Sequence, residues 1–468
     1  MVNKKMFKMT AAVVSAALLA NTCISGLFGA SAEVTADEPI TLPSQVAYID
    51  NSNLLPAYLT NDKVTLEAID GSDTAVTPDW VKSLIVTELN VERASTNGQF
   101  SGMEKALKLL AEEGVNGVWL TPINNDTLIG EDGTQTGTAG NRYSNFGPDT
   151  VSCTLTGKTD YNEGWAEVKK FVDLAHSYNI RVLLDIVTWG VNEQAPVYTE
   201  GNHANWFTEY KSAWNGYLFD WSNAKSTGLY DWFKDGMIGM ITATGADGFR
   251  ADCGSSYAGS AFFSDVRKTL TTDGYKISMI SEHRETRDGT FDFEEHSYID
   301  SSYDMYKTHT FYTANNIVDA VKNGTFTGTG KYYNALVSCH DYSNYTTAND
   351  LITMGYASIA TPYIPLWYFG EEWNNTKTDG TVQLYQNLIN YDQIDQNRDY
   401  YETIKSYIRV RRTYSDIFEN FTDNSTNANI CKVSTSGSSL YQAYARYSAD
   451  RAVLVVPNNS VADAHLTV

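Results

Sequence analysis

An α/β barrel of eight parallel strands, the (β/α)8 or TIM-barrel class, followed by a small antiparallel β domain, is the fold this sequence predicts. Three observations predict it. From Pro78-Asp79-Trp80 onward, apolar strand-like runs alternate with amphipathic helical stretches, eight times over about 330 residues. Three of those runs end in one acid each: Gly248-Phe249-Arg250-Ala251-Asp252, Ser278-Met279-Ile280-Ser281-Glu282 and Leu336-Val337-Ser338-Cys339-His340-Asp341. Such strand ends converge on the face where barrels keep their chemistry. The last stretch then changes to period-two patterning, in Ser439–Ala445 and Arg451–Val456, as an antiparallel sheet requires.

In chain order, residues 1–32 read as an export signal. Lys4, Lys5 and Lys8 precede an apolar run from Thr10 to Ala20 and a small-residue site at Ala30-Ser31-Ala32. That run is short for a bilayer span, so a secreted protein cut after Ala32 is expected, with no further membrane contact. Residues 33–77 are polar, turn-rich and without strong periodicity, and read as a leader packed on the main domain. Residues 78–415 form the predicted barrel, and 416–468 the β domain, whose last strands are short or incomplete.

Strand one is placed at Leu84–Val91, with a helix at Gly102–Glu113 whose apolar positions Met103, Ala106, Leu107, Leu110 and Ala111 follow helical spacing. Strand two is Val115–Leu120, helix two Glu163–Tyr178 and strand three Arg181–Val187. Trp189–Gly228 reads as a loose aromatic-rich segment, a reduced insertion after strand three. Helix three at Leu229–Thr244, strand four at Gly248–Asp252, helix four at Ala261–Leu270 and strand five at Ile277–Glu282 follow. Strand six is placed at Tyr298–Tyr303 with a helix at Asn315–Lys322, strand seven at Ala335–Cys339 with a helix at Thr346–Ala360, and strand eight at Ile364–Tyr368, before a last helix at Tyr401–Tyr414.

Composition narrows the partners. Losing the signal removes three lysines and no acid, taking the formal charge from −22 to −25. So acidic a surface repels phosphates, which disfavours nucleic acid and anionic lipid and leaves a neutral sugar unaffected. Aromatic residues make up 13% of the chain, which suits stacking on pyranose rings. Cys153, Cys253, Cys339 and Cys431 show no CxxC or zinc spacing, and are expected as free thiols.

Several blocks in order carry a family resemblance: Gly114-Val115-Asn116-Gly117-Val118-Trp119-Leu120-Thr121-Pro122-Ile123, the strand with Asp185, the three acid-bearing strands, and Pro362 through Glu372. Together they resemble the α-amylase family of glycoside hydrolases, over about residues 78 to 460. The resemblance implies a retaining α-glucan hydrolase that cuts α-1,4 bonds of starch or maltooligosaccharides. Asp252 would be the nucleophile, Glu282 the general acid/base and Asp341 a third carboxylate that binds and distorts the sugar. Retaining enzymes hold the first two about 5–5.5 Å apart around an oxocarbenium-like transition state. Arg250, on the same strand face as Asp252, is expected to keep the nucleophile ionised; the like charges around Glu282 are expected to raise its pKa. His340 resembles the family's sugar-binding histidine, and Tyr143 and Trp189 are the candidate stacking aromatics.

The sequence also departs from the family. Strand three reads Asp185-Ile186-Val187-Thr188-Trp189-Gly190 where the family has an Asn that ligates calcium and a His that contacts sugar. Ser255-Ser256 replaces a Lys-His pair, and Cys339 an Asn. No cofactor is expected, the usual calcium site being degraded. A separate calcium site in the acidic loop Asp126–Asn141 stays open, as do transglycosylation or α-1,6 cleavage by the same residues, and a non-catalytic glucan-binding protein that keeps the barrel.

Overall fold

The structure is a computed structural model that describes residues 77–129, 142–283 except 213 and 215, 290–295, 334–341, 364–375, 388–419, 429–434 and 443–456, with single positions at 318, 332 and 355 and strand backbone at 15–17, 47–48 and 135–137. Its centre is an eight-stranded parallel sheet: β1 (Val86–Leu89), β2 (Gly117–Leu120), β3 (Arg181–Val187), β4 (Gly248–Asp252), β5 (Ser278–Ser281), β6 (Phe293–Glu294), β7 (Asn334–Leu336) and β8 (Ile364–Tyr368). Every residue of these strands is buried. That explains why most of them read as apolar runs: a parallel strand covered on both faces has no solvated side to alternate with.

Neighbours follow chain order, and β8 pairs back onto β1 through Leu366↔Val86 and Tyr368↔Glu88. Between β6 and β7 the ring is closed by two bonds, Tyr332 N–H to the Asp292 carbonyl (2.7 Å) and Asn334 Nδ2 to the Glu295 carbonyl (3.2 Å). The register brings Arg250 of β4 level with Asp185 of β3, and Glu88 of β1 level with Trp119 of β2. Four long side chains thus enter one end of the barrel together.

The helices α1 (Glu104–Glu113), α2 (Tyr161–Ser177), α3 (Leu229–Thr244), α4 (Ser260–Thr272) and α5 (Arg398–Thr413) cover the sheet. Each buries an i, i+3, i+4 stripe, such as Ala106, Leu107, Leu110 and Ala111 on α1 or Phe262, Phe263, Val266 and Leu270 on α4. The Asp160 carboxylate caps α2 by accepting from Glu163 N–H at 3.0 Å, and Gly114, at φ +96°, ends α1 in the left-handed conformation that glycine takes without strain.

Three expectations are corrected. Strand six is Phe293–Glu294 rather than Tyr298–Tyr303, a stretch outside the described residues. It sits where it does because Asp292 anchors it, accepting from Met279 N–H (2.9 Å), Arg267 Nη2 (2.6 Å) and Thr77 Oγ1 (2.5 Å). The segment after β3 is an ordered antiparallel sheet of Gly190–Asn192, Gly216–Phe219 and Phe207–Ser212, not a loose connection. A Cβ on Gly190 would meet the Tyr217 carbonyl at 2.0 Å, so this sheet requires glycine there. The terminal domain also holds a strand that the sequence reading lacked, β9 (Ile430–Lys432), beside β10 (Tyr444–Tyr447) and β11 (Ala452–Val455).

The strands expected at Ser439–Ala445 and the helices expected at Asn315–Lys322 and Thr346–Ala360 fall largely outside the described residues. Arg446 ties the β domain to the barrel by donating from Nη2 to the carbonyls of Ile417 and Phe418, each at 3.2 Å. Ser15–Ala17, within the expected signal, and Ala47–Tyr48 extend this sheet beyond β11. No described helix is long and apolar enough to cross a membrane. Among the described residues no disulfide forms; Cys153, Cys339 and Cys431 are buried and Cys253 is half-buried.

Candidate active site

Arg250 organises the C-terminal end of the barrel. Its side chain is wholly buried, and its guanidinium meets four carboxylates: Nη1 lies 3.3 Å from Asp185 and 3.1 Å from Asp252, and Nη2 lies 3.3 Å from Glu282 and 2.8 Å from Glu295. The cation also lies over Trp119, 4.6 Å from the ring centroid. A planar fork with five donors suits this task where an ammonium would not. The structure thus places Asp252, Glu282 and Arg250 together.

The turn after β4 fixes the distance between the two catalytic candidates. Cys253 adopts φ +57°, a left-handed conformation that costs a non-glycine residue about 1–2 kcal/mol. In return its N–H points at Oε2 of Glu282, 2.6 Å away. Asp252 and Glu282 therefore share one guanidinium and lie against one turn.

Their protonation differs from the expectation. Burial, the adjacent Glu282 charge and Asp185 push the Asp252 carboxyl well above the usual carboxylate range, against the pull of Arg250. Burial also opposes the charge on Glu282, but Arg250, His283 and the Cys253 N–H outweigh it and hold its pKa below the ordinary value. Against the expectation for Glu282, these neighbours favour its ionised form, while the surroundings of Asp252 favour its protonated form.

Asp341 does not enter the cluster. Its carboxylate is 44% exposed, at the rim, with His340 Nε2 3.6 Å away. His340 itself is buried; Nδ1 lies 2.6 Å from Glu88 Oε1, and its N–H donates to Glu88 Oε2 at 2.8 Å. Burial alone would lower the histidine's pKa, but the Glu88 carboxylate, with a smaller push from Asp341, raises it to about 10. His340 is a cation at neutral pH.

Tyr143 lies flat on that cation, ring centroids 4.7 Å apart at 17°. Its hydroxyl donates to Asp185 Oδ2 at 2.8 Å, and Trp119 Nε1 donates to the same oxygen at 3.0 Å. Burial raises the Asp185 carboxyl to about 7 despite Arg250. Trp189, by contrast, is corrected from platform to packing residue: it is 1% exposed, tilted against Trp214 at 5.4 Å, and its indole N–H donates to the Tyr143 carbonyl at 3.0 Å. It holds Tyr143 in place. On the hairpin above, Trp214 is 45% exposed and Tyr210 66% exposed.

Three buried members of the site went unread in the sequence: Glu88, Glu295 and the indole of Trp119. Glu88 ends strand one as an acid, the same signal used for the other three strands. Glu295 was hidden by the misplacement of strand six.

Calcium at the end of β3 does not fit the residues present. A hard cation wants about six to eight oxygens. Trp189 instead offers an N–H already donated to Tyr143, and Gly190 has no side chain. In the acidic loop, Asp126 is turned to Arg142 Nη1 at 3.4 Å, while most of residues 130–141 lies outside the described residues.

This barrel, with its insertion after the third strand and its antiparallel β domain, is the architecture of α-amylase-type enzymes. A noncanonic maltogenic α-amylase from Thermotoga neapolitana superimposes with a TM-score of 0.62 at 20% identity, over 81% of this chain and 86% of that one. A cyclomaltodextrinase gives 0.65 at 17% identity, over 82% and 71%, and the cyclic α-maltosyl-(1→6)-maltose hydrolase of Arthrobacter globiformis 0.60 at 14%, over 81% and 92%. At these identities the likeness establishes the fold. No protein-family model matches the chain, and no curated protein matches it in sequence.

Proposed function

We propose that the protein is a secreted, retaining α-glucan hydrolase that cleaves α-1,4-glucosidic bonds of starch or maltooligosaccharides. One observation carries this reading: the carboxylates of Asp252 and Glu282, from adjacent strand ends, are ligated by the two arms of a single buried guanidinium. We read this shared pair as the nucleophile and acid/base of a double displacement, which uses two carboxyl groups about 5–5.5 Å apart. The fold shared with amylolytic enzymes supports the same substrate class.

In the first step Glu282 gives its proton to the glycosidic oxygen while an Asp252 oxygen bonds to the anomeric carbon, releasing the leaving sugar and forming a glycosyl ester. In the second, Glu282 takes a proton from water, whose oxygen attacks the same carbon and frees Asp252. The productive form has Glu282 protonated and Asp252 ionised. Positive charge growing at the anomeric carbon over Asp252 favours ionised Asp252, and therefore that form. Asp341 at the rim and the buried cationic His340 beside it bind sugar hydroxyls, and Trp214 offers a face for stacking.

The test is the product time course from soluble starch, amylose, pullulan and maltotriose, with and without a chelator, for the wild type and Glu282→Gln. New reducing ends that fall by about 10²–10⁴ in Glu282→Gln are expected. Full activity in that variant would overturn the mechanism. Longer oligosaccharides would identify transglycosylation, cleavage of pullulan the α-1,6 linkage, and glucan binding without product a non-catalytic protein.

A further inference from the structure

The turn that aims the Cys253 N–H at Glu282 also gathers a second set of donors. The Cys253 thiol, a carboxylate oxygen of Glu282 and a ring nitrogen of His283 all lie within 4.8 Å of one another. Cys253 is half-buried and His283 exposed, so one edge of the group is open to solvent. Sulfur, imidazole nitrogen and one carboxylate oxygen form the donor set of a borderline-soft divalent ion, not of calcium or magnesium, which prefer oxygen alone. Zinc holds such ligands at about 2.0–2.3 Å in a tetrahedron, leaving its fourth position to water.

A similar trio, Glu88, Cys339 and His340, shows why geometry alone is insufficient. All three are buried, and Glu88 and His340 are already committed to each other at 2.6 Å. An ion there would have to part that pair inside the barrel.

We propose that Cys253, Glu282 and His283 form a binding site for zinc or a similar soft divalent cation, and that the bound ion silences hydrolysis by occupying the Glu282 carboxylate. Binding forms a metal–sulfur bond and releases the thiol proton to solvent, with no change of oxidation state. The silencing rests on the acid/base role proposed for Glu282; the binding does not.

Cobalt(II) is the probe, because its thiolate complexes absorb in the near ultraviolet. Titration of the metal-free full chain should produce a thiolate-to-cobalt charge-transfer band that saturates as a single site and disappears when zinc is added. Cys253→Ser should abolish the band, and His283→Ala, whose exposed side chain leaves the fold intact, should weaken cobalt binding by about tenfold or more. Zinc should inhibit starch hydrolysis by the wild type, with the inhibiting concentration raised by the same factor in His283→Ala. A wild type without the band, or a band unchanged in Cys253→Ser, would overturn the site. Saturated metal binding with undiminished hydrolysis would overturn the silencing. If no glucan is hydrolysed at all, the hydrolase reading fails while the band still decides the metal site.

Discussion

Replacing Arg250 with methionine removes the guanidinium that Asp185, Asp252, Glu282 and Glu295 share while filling most of its volume. Breaking a buried ion pair from one side costs about 3–5 kcal/mol, because the partner charge stays buried without compensation. Four partners place Arg250→Met at the upper end of that range at pH 7. The loss has an outlet: carboxyls that lose their cation take up protons. Asp185 already titrates near 7 with Arg250 present, and without it the raised folded pKa values mean that the native variant binds more protons than its unfolded chain as pH falls from 7 to 5. Stability of the variant relative to wild type therefore rises on acidification. Each acid whose pKa climbs by one more unit accounts for about 1.4 kcal/mol. Urea unfolding at pH 7 and pH 5 measures this, urea being preferred because guanidinium salt would screen the cluster. A cost below about 1 kcal/mol at pH 7, or one of equal size at pH 5, would refute the account of Arg250 as the charge that permits this cluster.

Trp189→Phe removes the indole N–H that donates to the Tyr143 carbonyl and should cost about 1–3 kcal/mol in thermal unfolding with KM for maltooligosaccharides nearly unchanged; a large rise in KM without loss of stability would return Trp189 to the sugar-binding surface. Gly190→Ala forces a methyl against the Tyr217 carbonyl and should destabilise by about 1–3 kcal/mol, so an unchanged melting temperature would show that the sheet after β3 is not packed as described. His340→Gln leaves Glu88 buried without a counter-charge, a loss of about 3 kcal/mol at neutral pH. The histidine's folded pKa, about 10, stands above its unfolded value, so its stabilisation is complete below about pH 6.5 and fades as pH rises towards 10. Melting curves of the wild type should show that decline and those of His340→Gln should lack it; equal slopes would contradict the ion pair.

Most of the barrel was legible because burial on both faces makes a parallel strand a plain apolar run, as in Arg181–Val187 or Ile364–Tyr368, and because an acid at the end of such a run stands out. Strand six broke that rule. Phe291-Asp292-Phe293-Glu294-Glu295 is mostly acid, and it survives in the barrel wall only through partners distant in sequence: Arg267 for Asp292 and Arg250 for Glu295. Hydropathy cannot anticipate such pairing, so the next apolar stretch was taken in its place. The sheet after β3 was missed for a related reason. Phe207–Ser212 is only half covered, and its six residues mix aromatics with Glu209 and Lys211 without firm alternation. Its presence is also what buries Trp189, which read as a rim aromatic because nothing local reveals that the Trp214 hairpin folds over it.

The opposed pKa directions of Asp252 and Glu282 follow from the same cause. From sequence, Glu282 was one acid between two others, and like charge alone argues for protonation. The structure moves Asp341 out to the rim, 44% exposed, which removes one of those charges, and brings in Arg250 and the Cys253 N–H, which favour the ionised form. What remains is a pair whose surroundings favour ionised Glu282 and protonated Asp252. The double displacement proposed for the pair needs the other assignment, an Asp252 anion and a protonated Glu282. Positive charge developing at the anomeric carbon over Asp252 favours that assignment. A divalent cation on Glu282 would lock the opposite arrangement, which makes the acid/base carboxylate the most vulnerable position in the site.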